Sequence, residues 1–185
     1  MRAICAAERD LWELTRSSSR SATLQQVFDQ AGVAASEELL SRYFAAWEPH
    51  TFTDPDAPGV LRELRRRGIK VGVLSNTLWP RSAHEQIFVR DEVLDLLDGA
   101  VYSSEIPWAK PHPEAFLAAM AAVGVDDPAA CVFVGDRPYD DVYGAKRAGM
   151  RGVLVPNSKV PPFDGVTPDA VINRLPDLLA HLDHW

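Results

Sequence analysis

At 185 residues, 46% hydrophobic and 24% charged, the chain has the length of one folded domain with a small appendage and too much apolar content for disorder. Its 19 Lys and Arg against 26 Asp and Glu leave a net charge of −7, which argues against a broad nucleic-acid or anionic-membrane surface but leaves small anions to a local pocket. Two cysteines, Cys5 and Cys131, make no disulfide framework, no charged-then-apolar leader opens the sequence, and no apolar run reaches the roughly 18 residues of a membrane span, so a cytoplasmic protein is expected.

Residues 1–50 have helical spacing in three blocks, Ala6–Thr15, Leu24–Gln30 and Glu37–Trp47, with the serine run 17–21 as a connection and Gly32 as a helix stop. Pro49, Pro55, Pro58 and Gly59 then mark a boundary, placed at residue 53. Beyond it the pattern alternates: helix Val60–Arg67, strand Lys70–Leu74, helix Arg81–Asp98, strand Ala100–Tyr102, helix Pro113–Val123, strand Cys131–Val134, helix Tyr139–Ala148, strand Gly152–Val155. Strands separated by helices of this length require right-handed crossovers, so the expected class is α/β: a parallel, Rossmann-like sheet with helices on both faces. The continuously apolar runs 71–74 and 131–134 read as strands buried on both faces near the sheet centre, with Cys131 a buried, inert thiol. Residues 156–168 read as an extended loop before a terminal helix, Pro176–Leu182.

In open parallel sheets ligands bind beyond the carboxyl ends of the strands, so the residues after each apolar run carry the functional information. Ser75-Asn76-Thr77 follows Leu74; Lys110-Pro111-His112 precedes the helix at Pro113; Gly135-Asp136 follows Val134, with Asp140 and Asp141 close behind. Together they supply a hydroxyl and an amide, a cation, and carboxylates suited to a hard divalent metal, the parts needed for phosphoryl transfer. Each has a simpler reading alone. Ser75 and Asn76 would cap a helix, Asp136 would sit in a turn, and Asp140 and Asp141 would face a helix dipole. His112 would be a helix-entry residue, and Trp79 and Trp108 would be packing residues. Their order at the ends of separate strands favours the joint reading.

The segments 71–77, 109–116 and 132–146 resemble the second, third and fourth motifs of the haloacid dehalogenase (HAD) superfamily of hydrolases, and the preceding helices resemble its small cap. The resemblance implies residues 1–53 as an incomplete cap and 54–185 as the core. It implies a Mg²⁺-dependent phosphatase of a small phosphorylated metabolite: Ser75, with Asn76 beside it, would bind the phosphoryl group, Lys110 would stabilise its charge, and Asp136 would bind Mg²⁺. Asp140 or Asp141 would be the second acidic residue. A dehalogenase is the enzymatic alternative, and a catalytically silent fragment is another.

The family's first motif, an apolar strand ending in the aspartate nucleophile, has no match. Glu8 and Asp10 have the right separation but stand in helix-like sequence. That strand would lie between those ending at Ser75 and Asp136, so its absence predicts a gap in the sheet. Either Met1 is internal and the natural chain begins roughly 20–50 residues earlier, or the two flanking strands close on each other, or another chain fills the gap by strand addition. The unpaired edge would invite self-association.

Overall fold

The computed structural model describes residues 2–157 and 159–185; Met1, and with it the question of the start, lies outside them. The first layer is helical as expected: α1 (Arg2–Ser18), α2 (Leu24–Ala31) and α3 (Glu37–Trp47), then a 3₁₀ turn at Glu48–His50. Local chemistry sets these ends. Thr23 and Gln26 form a reciprocal capping box at the start of α2, Ser36 accepts from the Leu39 N–H at the start of α3, and Gly32 closes α2 at φ +64°. α1 runs further into the serine tract than its composition suggests, because the Ser17 and Ser18 hydroxyls both donate back to the Leu14 carbonyl. Ile4, Ala7, Ala22, Leu24, Val27 and Phe28 form this layer's core, and buried with them is Leu78, from the loop that follows the first strand.

The alternating part comprises α4 (Ala57–Arg66), β1 (Gly72–Ser75), α5 (Arg81–Arg90), β2 (Gly99–Tyr102), α6 (Pro113–Ala122) and β3 (Val132–Gly135). There follow a π-helical turn, Pro138–Tyr143, running into α7 (Gly144–Arg147), then β4 (Arg151–Leu154), β5 (Ala170–Val171) and α8 (Leu178–Leu182). The helix expected through Asp98 stops at Arg90. Glu92 takes a left-handed φ of +56°, and the Glu92 and Val93 N–H groups donate to the Val89 and Phe88 carbonyls, a Schellman closure made without glycine. β5 was not anticipated; two residues are too short for a periodic signal.

All strand pairs are parallel, but the strands form two sheets rather than one. One is β1–β2 and the other β3–β4–β5; among the described residues β1 and β3 pair neither with each other nor with a strand between them. The division falls where the sequence predicted a gap, and closure of the flanking strands on each other does not occur. It also corrects the expectation that the most apolar strands are the most buried. In β3 every residue is half-buried and in β1 only Leu74 is fully buried, whereas β2 and β4 each bury two residues. β1 and β3 stand at open edges, and Cys131, entering β3, is half-buried for the same reason. α6 holds the halves together on one face: fully buried Phe116 meets Phe133 of β3 edge-on at 5.0 Å, within a cluster that includes Leu74 and Val101.

Candidate active site

The loop after β1 is ordered by neighbours distant in sequence. Ser75, half-buried, ends the strand. Asn76 is tied to the other loop of the site: its amide nitrogen donates to the Lys110 carbonyl at 2.9 Å, and its oxygen accepts from the Lys110 N–H at 2.8 Å. Asn76 thereby holds Lys110, and its amide NH2 keeps a second hydrogen beyond the one given to the Lys110 carbonyl. Buried Thr77 is clamped by Ser103, whose hydroxyl accepts from the Thr77 N–H at 2.8 Å and donates to its carbonyl at 3.0 Å.

With its backbone fixed to Asn76, Lys110 extends its ammonium along β3, 4.9 Å from the Phe133 ring centroid, to a 2.7 Å ion pair with Asp141. Both partners are nearly closed to solvent, at 11% and 4% side-chain exposure, so each compensates a charge that burial alone would penalise heavily. The second oxygen of Asp141 accepts from the Arg137 N–H at 2.9 Å. Glycine at 135 makes this possible, because a Cβ there would collide with the Asp141 carboxylate. Asp136 follows the same strand and accepts from the Asn157 amide at 2.8 Å. Asp140 lies 3.8 Å from the Arg137 guanidinium, and burial pushes its carboxyl above the ordinary carboxylate range against the opposing pull of that cation. A continuous path thus runs from the β1 end through Asn76, Lys110 and Asp141 to the β3 end, joining the three predicted segments.

Glu8 and Asp10 lie in α1, outside this path; Glu8 bonds to the Tyr43 hydroxyl and Asp10 to Gln30. His112 is the helix-entry residue expected, its Nδ1 accepting from the Glu114 N–H. Trp108 is sandwiched between the His112 ring and the Arg20 guanidinium, and Trp79 belongs to an aromatic group with Tyr43, Phe44 and Trp47. Ser103, His84 and Asn157 act on the site but were not found from sequence; single polar residues more than five positions from a motif carry no local signal.

A profile described as haloacid dehalogenase-like hydrolase matches residues 2–149. The chain belongs to the haloacid dehalogenase-like hydrolases. It is 42% identical over 154 residues to the phosphatase MT3486 of Mycobacterium tuberculosis, covering 83% of this chain and 65% of that protein. It is 30% identical over 158 residues to the phosphoserine phosphatase of Thermus thermophilus, covering 84% of this chain and 62% of the relative. Among solved structures, a HAD phosphatase from Thermococcus onnurineus superposes with a TM-score of 0.67 at 30% identity, over 84% of this chain and 68% of that one. The chain spans less than two thirds of the length of these two curated relatives.

For a HAD-like hydrolase the donor set can be tested against a metal. Among the described residues no three His, Cys, Asp or Glu side chains gather as a preformed metal cluster. Mg²⁺ needs none, since one or two carboxylates with water and phosphate oxygens complete its shell. Asp136, with one oxygen accepting from the Asn157 amide, fits that demand, and half-buried Asp140 follows in the next turn. Asp141 is the most committed of the three, one oxygen serving Lys110 and the other the Arg137 N–H.

Proposed function

We propose that this chain is the phosphate- and metal-binding part of a phosphatase for small phosphorylated metabolites, with residues 1–53 as its cap and 54–185 as its core. The supporting observation is the placement of Lys110, tied by its backbone to the residue after Ser75 and by its ammonium to the turn after Asp136. Ser75 donates to an equatorial oxygen of the phosphoryl group, Lys110 holds its negative charge with Asp141 as counter-ion, and Asp136, with Asp140 near it, holds Mg²⁺. When bound, Mg²⁺ neutralises charge on the transferring group. The nucleophile would be an aspartate on a strand entering between β1 and β3: its carboxylate attacks phosphorus as the ester P–O bond breaks and the alcohol leaves with a proton, and water then hydrolyses the aspartyl-phosphate to inorganic phosphate and free aspartate.

A second reading has its own support: with no strand between β1 and β3 among the described residues to carry a nucleophile, the chain as it stands would be catalytically silent. The dehalogenase alternative is disfavoured by Asp136, because displacing halide from carbon needs no metal-binding carboxylate. Self-association through the open edges and a cytoplasmic site of action, with no nucleic-acid partner, belong to the same proposal. Among the described residues no helix is long and apolar enough to cross a membrane.

The test is turnover of an aryl phosphate, with and without Mg²⁺, by this chain alone and by the chain complemented in cis or in trans with an apolar strand ending in aspartate. Turnover is expected only on complementation, and Asp136→Asn in the complemented form should abolish both rate and Mg²⁺ dependence. Activity of the chain alone, or metal-stimulated activity indifferent to Asp136, overturns the proposal.

A further inference from the structure

We infer that His84 is a positioning residue for the loop carrying Ser75 and Asn76, acting through the hydroxyl of Thr77; its relevance to catalysis rests on the phosphatase reading above. Thr77 Oγ1 lies 2.8 Å from His84 Nε2 and accepts from the Trp79 N–H at 3.0 Å. A hydroxyl has one proton to give. With Trp79 already donating to this oxygen, the partner left to receive that proton is His84 Nε2, so the ring carries its hydrogen on Nδ1 and is neutral. Hydrogen-bond logic assigns this tautomer.

The surroundings keep it so. The imidazole stacks on buried Tyr102 with ring centroids 4.7 Å apart and planes 9° apart, and Trp79 covers it at 5.6 Å. The charged groups nearby are Arg81 and Glu85 on its own helix and Glu105 beyond β2. Arg81 pairs with both acids, at 3.2 and 2.7 Å, and lies over the Tyr102 ring, so the pull of these carboxylates toward an imidazolium is partly offset. Burial pulls the His84 pKa below its ordinary 6.5, against the weaker opposing influence of Glu105. Protonation would turn Nε2 into a donor. The Thr77 hydroxyl would then accept twice, its own proton would lose its acceptor in a buried site, and the loop would have to move.

The same tie reaches the cap. The Trp79 indole N–H donates to the Tyr43 hydroxyl at 3.1 Å, and that hydroxyl donates to Glu8 at 3.3 Å. Residues of α1, α3 and α5 thus fix a loop of which Ser75 is the functional part.

The experiment is two-dimensional NMR on this chain through a titration from pH 7.5 to 4.5, with His84→Gln, His84→Leu and Thr77→Val as variants. We expect the Nδ1–H tautomer, a His84 midpoint below 6.5, and Ser75 and Asn76 amide shifts that follow this midpoint in the wild type but not in Thr77→Val. Inorganic phosphate with Mg²⁺ should bind roughly tenfold more weakly to His84→Leu, while His84→Gln, whose side-chain oxygen still accepts, should recover most of the affinity. A ring protonated on Nε2 at pH 7.5, or Ser75 and Asn76 amides indifferent to His84, overturns the inference. Coupled titration without any effect of phosphate on the Ser75 amide supports the hold of His84 on the loop and counts against the phosphatase reading alone.

Discussion

The two halves of the divided sheet end in different chemistry. After β1 order comes from neutral groups: Ser103 clamps Thr77, His84 meets its hydroxyl, and the Asn76 amide makes two bonds to Lys110. After β3 it comes from charge, a buried lysine on a buried aspartate with one backbone N–H completing the acceptor's partners. A neutral network tolerates the arrival and departure of an anion, because none of its members must change charge. A buried ion pair has no such tolerance, yet it places a cation where a phosphoryl group would need one. Lys110 belongs to both systems, and that makes the comparison breakable at single positions.

The largest effect is expected at the charged end. Lys110→Ala leaves Asp141 buried without its counter-ion and should cost about 3–5 kcal/mol in urea unfolding. Replacing both partners, as Lys110→Met with Asp141→Leu, should cost clearly less; an equal or greater loss would show that the pair stabilises rather than merely compensates itself. Phe116→Ala removes the ring by which α6 spans the halves and should cost about 3 kcal/mol, with amide exchange accelerated in both sheets; protection lost in one sheet alone would argue that α6 does not join them. Asn76→Ala, at the neutral end, should cost about 1–3 kcal/mol through the unpaired Lys110 backbone groups.

The smallest effect lies outside the site. The Lys70 ammonium and the Val71 N–H, at the entrance to β1, hold the Asp98 carboxyl below its ordinary range. A carboxyl depressed in the folded state stabilises above its unfolded pKa, ordinarily 3.8, and loses that contribution as pH falls through the folded value. Asp98→Asn should therefore cost under about 1 kcal/mol at pH 7, with the difference from wild type vanishing in acid. A difference that persisted below pH 2 would point to the Val71 hydrogen bond rather than to charge.

Much of this architecture was legible in the residues because it is local. The first three helices, the four longer strands and the capped entry to α6 follow from periodicity, β-branched runs and capping residues. What escaped depends on conformation or distance. Nothing in Glu92 announces a left-handed turn that ends α5 eight residues before the apolar spacing does. Nothing near Asn76 in the sequence points to the two bonds it makes with Lys110, 34 residues away. The continuous apolarity of β1 and β3 pointed to burial on both sides, and they are instead the less covered strands. Their composition matches a strand between them that the described chain lacks.

The place of Leu78 governs how the helical layer is attached to the rest of the chain. This residue leaves the β1 loop and sits in the core of the first three helices, its carbonyl accepting from the Leu24 N–H at 2.6 Å. A second seam joins Ser21 and Ser19 to Pro107 and Ala109, just ahead of Lys110. Swinging those helices away as a rigid lid would tear main-chain bonds on both sides and draw an apolar side chain into water. The first three helices and the strand-end loops are therefore stitched into one body by main-chain bonds at two places.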